Sequence, residues 1–160
     1  MPDCLGDGRP VAAVIVGDGP ERKRLETLAG NLGVTAIFAG AIENSGLSRH
    51  YRSADLYTAT SDRTNLSHAV LEALCHGLPV VALNTGRTAT VIQDGVNGRL
   101  VGIEELSRLG QILSELLSDE SLRRSLAEGA LSMARELIPD LEERMKQEVE
   151  AFDLSLPFAR

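Results

Sequence analysis

Short, continuously apolar runs alternate with helix-periodic stretches from residue 11 to residue 101, and no other feature constrains the fold as much. The run V-A-A-V-I-V at residues 11–16 ends in Gly17-Asp18-Gly19-Pro20, a strand stopped by turn chemistry. Leu25, Leu28, Ala29 and Leu32 then recur at helical spacing, with Pro20 suited to the first helical position and Gly33 to the stop. The same reading predicts strands over 34–39, 55–60, 79–83 and 98–101, and helices over 46–53, 66–76 and 88–93. All five strands are apolar on both faces, so each is expected to be buried beneath helices. That pattern implies an α/β fold, a Rossmann-like three-layer α/β/α domain with a parallel sheet of about five strands.

Beyond Ile103 the pattern is helical only. Leu106, Leu109, Ile112, Leu113 and Leu116 form one stripe, and Leu122, Leu126, Ala130, Met133 and Leu137 form another. Pro139 is expected to break the chain, leaving residues 139–153 as a terminal, heavily charged crossing helix striped by Leu141, Met145, Val149 and Phe152. At 160 residues, the expectation is a single domain covering 1–160. A net charge of −7 with mixed signs argues against nucleic acid as a partner. No apolar run approaches the ~18 residues of a transmembrane segment. Cys4 and Cys75 show neither metal nor disulfide spacing, which with the absent signal-peptide pattern suggests a cytoplasmic protein.

In parallel α/β sheets ligands gather outside the carboxyl ends of the strands, here the loops around Gly17 and Gly19, Gly40, residues 61–65 and residues 84–87. Thr64 or Asn65 is a suitable N-cap for the next helix, which would leave the amides of Leu66, Ser67 and His68 facing an anion. Glu72 lies further along that helix among Val70, Leu71, Ala73 and Leu74. Its two oxygens could accept from a vicinal diol, so phosphate at the helix tip and ribose at Glu72 would describe one nucleotide; pairing with a nearby cation is the plainer alternative. His68, Glu72 and His76 share one side of the helix, but residues eight apart stand ~12 Å apart along its axis, too far for one metal ion. Gly17-Asp18-Gly19 with Arg22 is not the dinucleotide fingerprint, and no Walker loop or nucleophile elbow occurs.

Taken in order, V-I-V-G-D-G-P-E-R, A-I-F-A-G, Y-R-S-A-D-L-Y, V-L-E-A-L-C-H-G-L-P-V-V-A and T-V-I-Q-D-G-V-N-G-R-L-V resemble the C-terminal, donor-binding domain of GT-B glycosyltransferases of family 4, the group 1 glycosyl transferases. The resemblance implies a nucleotide-diphosphate sugar as donor substrate, no cofactor and no metal for the transfer, and stabilisation of the leaving diphosphate by helix-end amides. The family's signature is two glutamates flanking seven residues. Glu72 matches the second, on the ribose, whereas Thr64 stands where the first meets the sugar, with Asn65 and Ser67 in place of glycines. The family's Arg and Lys, from a further strand at the start of this domain, have no counterpart here, and neither does an N-terminal acceptor domain. By that analogy the missing strand is central. Either the strands at 11–16 and 55–60 pair directly, in order 2-1-3-4-5, or a second chain fills the gap.

The resemblance therefore implies the donor-binding half of a retaining glycosyltransferase. Its partner would be a separate acceptor-domain chain or, in a homodimer, a second copy. The alternative is a catalytically inactive nucleotide-binding or protein-interaction module derived from that fold. A flavodoxin-like signalling domain fits less well, because Asp55 begins a strand where a phosphoacceptor would end one.

Overall fold

Strand β4 (Val80–Leu83) is the element around which the chain packs, because its four apolar side chains alternate between two covered faces. The computed structural model describes residues 10–61 and 66–155, with side chains described to residue 138. Val80 and Ala82 meet Val70, Ala73 and Leu74 of helix α3 (His68–Cys75) together with Ala130 and Ala134 of helix α5 (Glu120–Ser155). Val81 and Leu83 meet Val101 of strand β5 (Gly98–Val101), Ile112 and Leu116 of helix α4 (Leu109–Ser118), and Leu126 of α5. Burying each such Val or Leu contributes on the order of 1.5–3 kcal/mol, so both faces of this strand are strongly specified.

Strand β1 (Ala13–Val16), helix α1 (Arg22–Leu32), strand β2 (Ala36–Gly40), helix α2 (Asn44–Ser53) and strand β3 (Tyr57–Ala59) precede α3, so the expected alternation is present. Every strand pairing is parallel. Gly33 closes α1 in the left-handed conformation, with its amide bonded back to Gly30. Pro20, however, precedes α1, whose N-cap is Glu21. Between β4 and β5 only a 3₁₀ turn forms, at Thr88–Thr90, and a second at Ile103–Arg108 leads into α4.

Three expectations are corrected. The strands pair as β1-β2 and as β3-β4-β5, and β1 does not pair with β3, so the single 2-1-3-4-5 sheet is not formed. As a result β1 is not a buried strand: Val14 is 49% exposed, Ile15 37% and Val16 39%, and no described residue before Val70 is buried. With no neighbour along one edge among the described residues, the strand lacks the apolar cover that its composition calls for. Pro139 does not break the helix, since α5 runs continuously from Glu120 to Ser155. A proline inside a helix costs roughly 3 kcal/mol, a local penalty that ends a helix only where flanking residues do not sustain it. The stripe of Leu141, Met145, Val149 and Phe152 lies outside the described side chains.

The turn after the 3₁₀ segment is held by the buried Asn97, whose Oδ1 accepts from the Gln93 amide and whose Nδ2 donates to the Val91 carbonyl, each at 2.8 Å. Helix α5 crosses this turn at Gly129, where a β-carbon would overlap the Val96 carbonyl oxygen. In α4, by contrast, Gly110 has open space at the same position. Gly110→Ala should therefore stabilise the protein by about 0.5–1 kcal/mol through helix propensity. Gly129→Ala should instead destabilise it by ~1–3 kcal/mol through overpacking. Urea midpoints moving in opposite directions are the expected outcome.

Candidate functional site

The carboxyl ends of β2 and β3 lead into α2 and α3, and a depression of about 490 Å³ lies between these two helices, lined by Asn44, His68, Leu71, Glu72, Cys75 and His76. Asn44 and His68 are the first residues of their helices, so the positive ends of two helix dipoles border the opening. A depression of the same size gathers Asp55, Leu78, Pro79 and Arg123 at the opposite, amino ends of β3 and β4. Ligand sites in parallel sheets lie at the carboxyl ends, which favours the depression containing Glu72.

Helix α3 starts later than the sequence suggests. Its N-cap is Ser67, in extended conformation and without a side-chain cap bond, instead of Thr64 or Asn65. Thr64 and Asn65 both lie outside the described residues. The Ser67 carbonyl accepts from the Val70 amide at 3.0 Å and the Leu71 amide at 3.4 Å. No described residue accepts from the amides of Leu66, Ser67 or His68. Nearby, Thr85 Oγ1 donates to the Ser61 carbonyl at 3.2 Å, tying the loops after β3 and β4 together.

Glu72 is half-buried and engaged. Tyr51 of α2 donates its hydroxyl proton to Glu72 Oε2 at 2.9 Å. The Tyr51 ring stacks on His76 at 4.9 Å and 23°, and tilts against Tyr57 at 6.1 Å and 53°. His76 Nδ1 lies 2.8 Å from the Glu72 carbonyl oxygen, which can only accept, so Nδ1 carries the proton. In the neutral ring Nε2 then accepts from Ser48 Oγ at 3.0 Å. Among the described residues, no three His, Cys, Asp or Glu side chains are grouped to hold a metal ion.

The glycines come together at the tip of the other sheet. The Gly17 amide donates to the Gly40 carbonyl at 2.8 Å, and both residues have positive φ, 127° and 75°, which a side chain would strain. The Gly19 carbonyl accepts from the Arg22 amide at 3.1 Å. Arg22 was weighed in the sequence only as a misfit to a glycine fingerprint. Its Nη2 donates to the Phe38 carbonyl at 3.1 Å, its Nε donates to Glu26 at 2.8 Å, and Asp18 stands 3.8 Å away, which puts a cation beside Gly40. A basic residue opening the helix after a glycine loop is the signal that could have found it.

Parallel strands, helices on both faces of β4 and a depression bordered by helix amino ends define a Rossmann-like domain of the GT-B type. Residues 4–133 match the family described as Glycosyl transferases group 1, and the chain belongs to that family. It is 34% identical to the sulfoquinovosyl transferase SQD2 of Arabidopsis thaliana over 128 residues, which are 78% of this chain and 25% of that protein. It is 30% identical to a GDP-mannose-dependent alpha-mannosyltransferase of Corynebacterium glutamicum over 131 residues, 80% of this chain and 31% of the relative. The chain thus spans about a quarter to a third of these relatives. Among solved structures, Anabaena HepE in complex with UDP-glucose superposes with a TM-score of 0.77 at 23% identity, covering 94% of this chain and 43% of HepE. WaaG, a glycosyltransferase involved in lipopolysaccharide biosynthesis, gives 0.70 at 26% identity, covering 84% and 36%. Among the described residues no helix is long and apolar enough to cross a membrane.

Burial, then the hydrogen bond to Glu72 and that group's charge, push the Tyr51 phenol well above its ordinary value of 10.0, and burial followed by the Glu72 charge raises Tyr57. A raised folded-state value means that the stabilisation is complete below the unfolded value and is lost as pH rises above it. Stability should therefore fall as pH rises above 10, and fall less steeply in Tyr51→Phe. Chemical denaturation across that range checks the sign.

Proposed function

We propose that this chain is the donor-binding half of a retaining glycosyltransferase, which moves a sugar from a nucleotide-diphosphate sugar to an acceptor. The observation that carries this reading is Glu72: a half-buried carboxylate beside the amino ends of α2 and α3, in a family whose relatives include a GDP-mannose-dependent enzyme and a fold neighbour crystallised with UDP-glucose. In this reading Glu72 accepts from the ribose hydroxyls, and the amides of Asn65, Leu66, Ser67 and His68 receive the diphosphate. Charge developing on the departing phosphate would meet donors fixed in advance, the oxyanion-type stabilisation that needs no metal. Gly17, Gly19 and Gly40 leave room for the base, and Thr64 touches the sugar. Location in the cytoplasm fits Cys75, a free exposed thiol.

Thr64 favours a second reading, because a hydroxyl offers a hexose no charge where the family's first glutamate would. On that reading the chain is an inactive nucleotide-binding or protein-interaction module. Calorimetric titration with UDP, GDP and ADP and their sugars distinguishes a binder from a non-binder. Glu72→Ala should weaken the tightest of these complexes by about 10- to 100-fold, the cost of one charged hydrogen-bond acceptor. Unchanged affinity in that variant removes the ribose role.

Among the described residues one edge each of β1 and β3 is unpaired, and Val14, Ile15 and Val16 are exposed, which supports a partner that supplies a parallel strand: a separate acceptor-domain chain or a second copy. Light scattering after size exclusion should show an assembly larger than one chain, or a monomer that binds a hydrophobic dye. A monomer that leaves the dye dark is the contrary result.

A further inference from the structure

The carboxylate assigned to the ribose is held by another side chain. Glu72 Oε2 already accepts from the Tyr51 hydroxyl, while no described residue donates to Oε1. An ionised carboxylate offers about four lone-pair sites, and one donor leaves enough for a vicinal diol. The donor is itself fixed. The Tyr51 ring is stacked on His76 and leans on Tyr57. His76 is pinned at both nitrogens, by the Glu72 carbonyl and by Ser48 of α2. Tyr51 and Ser48 of α2 thus act on Glu72 of α3 and on His76 at its C-cap, locking the two helices that flank the depression.

An unrestrained glutamate would have to give up rotamer freedom on binding, a cost that is large for a long side chain. A side chain ordered beforehand avoids that cost, and does so only for a ligand matching the geometry in which it is held. We propose that Tyr51 is a positioning residue for ribose recognition. By occupying Glu72 Oε2 it fixes the plane of the carboxylate, so that Oε1 and the remaining lone pair of Oε2 meet the 2′- and 3′-hydroxyls together. This rests on the reading of Glu72 as the ribose acid. It adds that the preference for a ribonucleotide over its deoxy forms is set from α2, through a residue that does not touch the nucleotide.

The test uses the full chain and whichever of UDP, GDP and ADP binds most tightly, titrated as the ribo-, 2′-deoxy- and 3′-deoxy-nucleotide. Wild type, Tyr51→Phe and Glu72→Gln are compared, with urea midpoints confirming that each is folded; the phenylalanine retains the ring stack. Tyr51→Phe should weaken the ribonucleotide about tenfold, the worth of one net hydrogen bond, while the deoxy forms change little, so that the preference collapses. Glu72→Gln should reduce the same preference. If Tyr51→Phe leaves all three affinities unchanged or lowers them by one common factor, positioning is overturned, while an effect of Glu72→Gln still upholds the ribose acid. If Glu72→Gln has no effect, or no nucleotide binds, both fall.

Discussion

The cover on both faces of β4 is the constraint from which the rest of the structure follows. Val80 and Val81 point to opposite sides and both are fully buried, so helices must lie above and below the strand. That requirement fixes α3 on one face, α4 on the other, and α5 against both clusters. It also determines where Glu72 can stand: Val70, Ala73 and Leu74 seat α3 on the sheet, and Glu72, with His76 at the helix's C-cap, is turned toward α2. The acid placed among apolar neighbours is thus held by the packing of those neighbours.

Burial falls off toward the amino-terminal half. The β1-α1-β2 unit has paired strands, a capped helix and a glycine-lined tip, but none of its described side chains is buried. Its link to the better-packed half runs through α2, whose Tyr51 and Ser48 reach Glu72 and His76. The polar network therefore borders the depression itself, which Glu72 and His76 line.

Much of the fold was legible in the sequence. The strand at β4, the helix carrying Glu72 and the left-handed stop at Gly33 follow from local apolar periodicity and backbone preference, which act over a few residues. Burial of β1 was misread for a physical reason: V-A-A-V-I-V reports the apolarity of a strand and says nothing of whether a neighbour is there to cover it. Pro139 was misread because its local penalty was given more weight than the length of helix on either side. The later start of α3 at Ser67 belongs with these, since several small polar residues there could each cap a helix.

By itself the sequence determined the alternation of strand and helix, the parallel pairing, the family and the placing of one carboxylate near a helix amino end, because each is encoded in short-range pattern or in ordered motifs. Only the tertiary structure decided that the strands divide into two sheets, that Arg22 lies beside Gly40, and that Tyr51 grips Glu72. These depend on groups far apart in the chain meeting at hydrogen-bond distance. Such meetings are set by how helices seat on a sheet, which no local window of residues specifies.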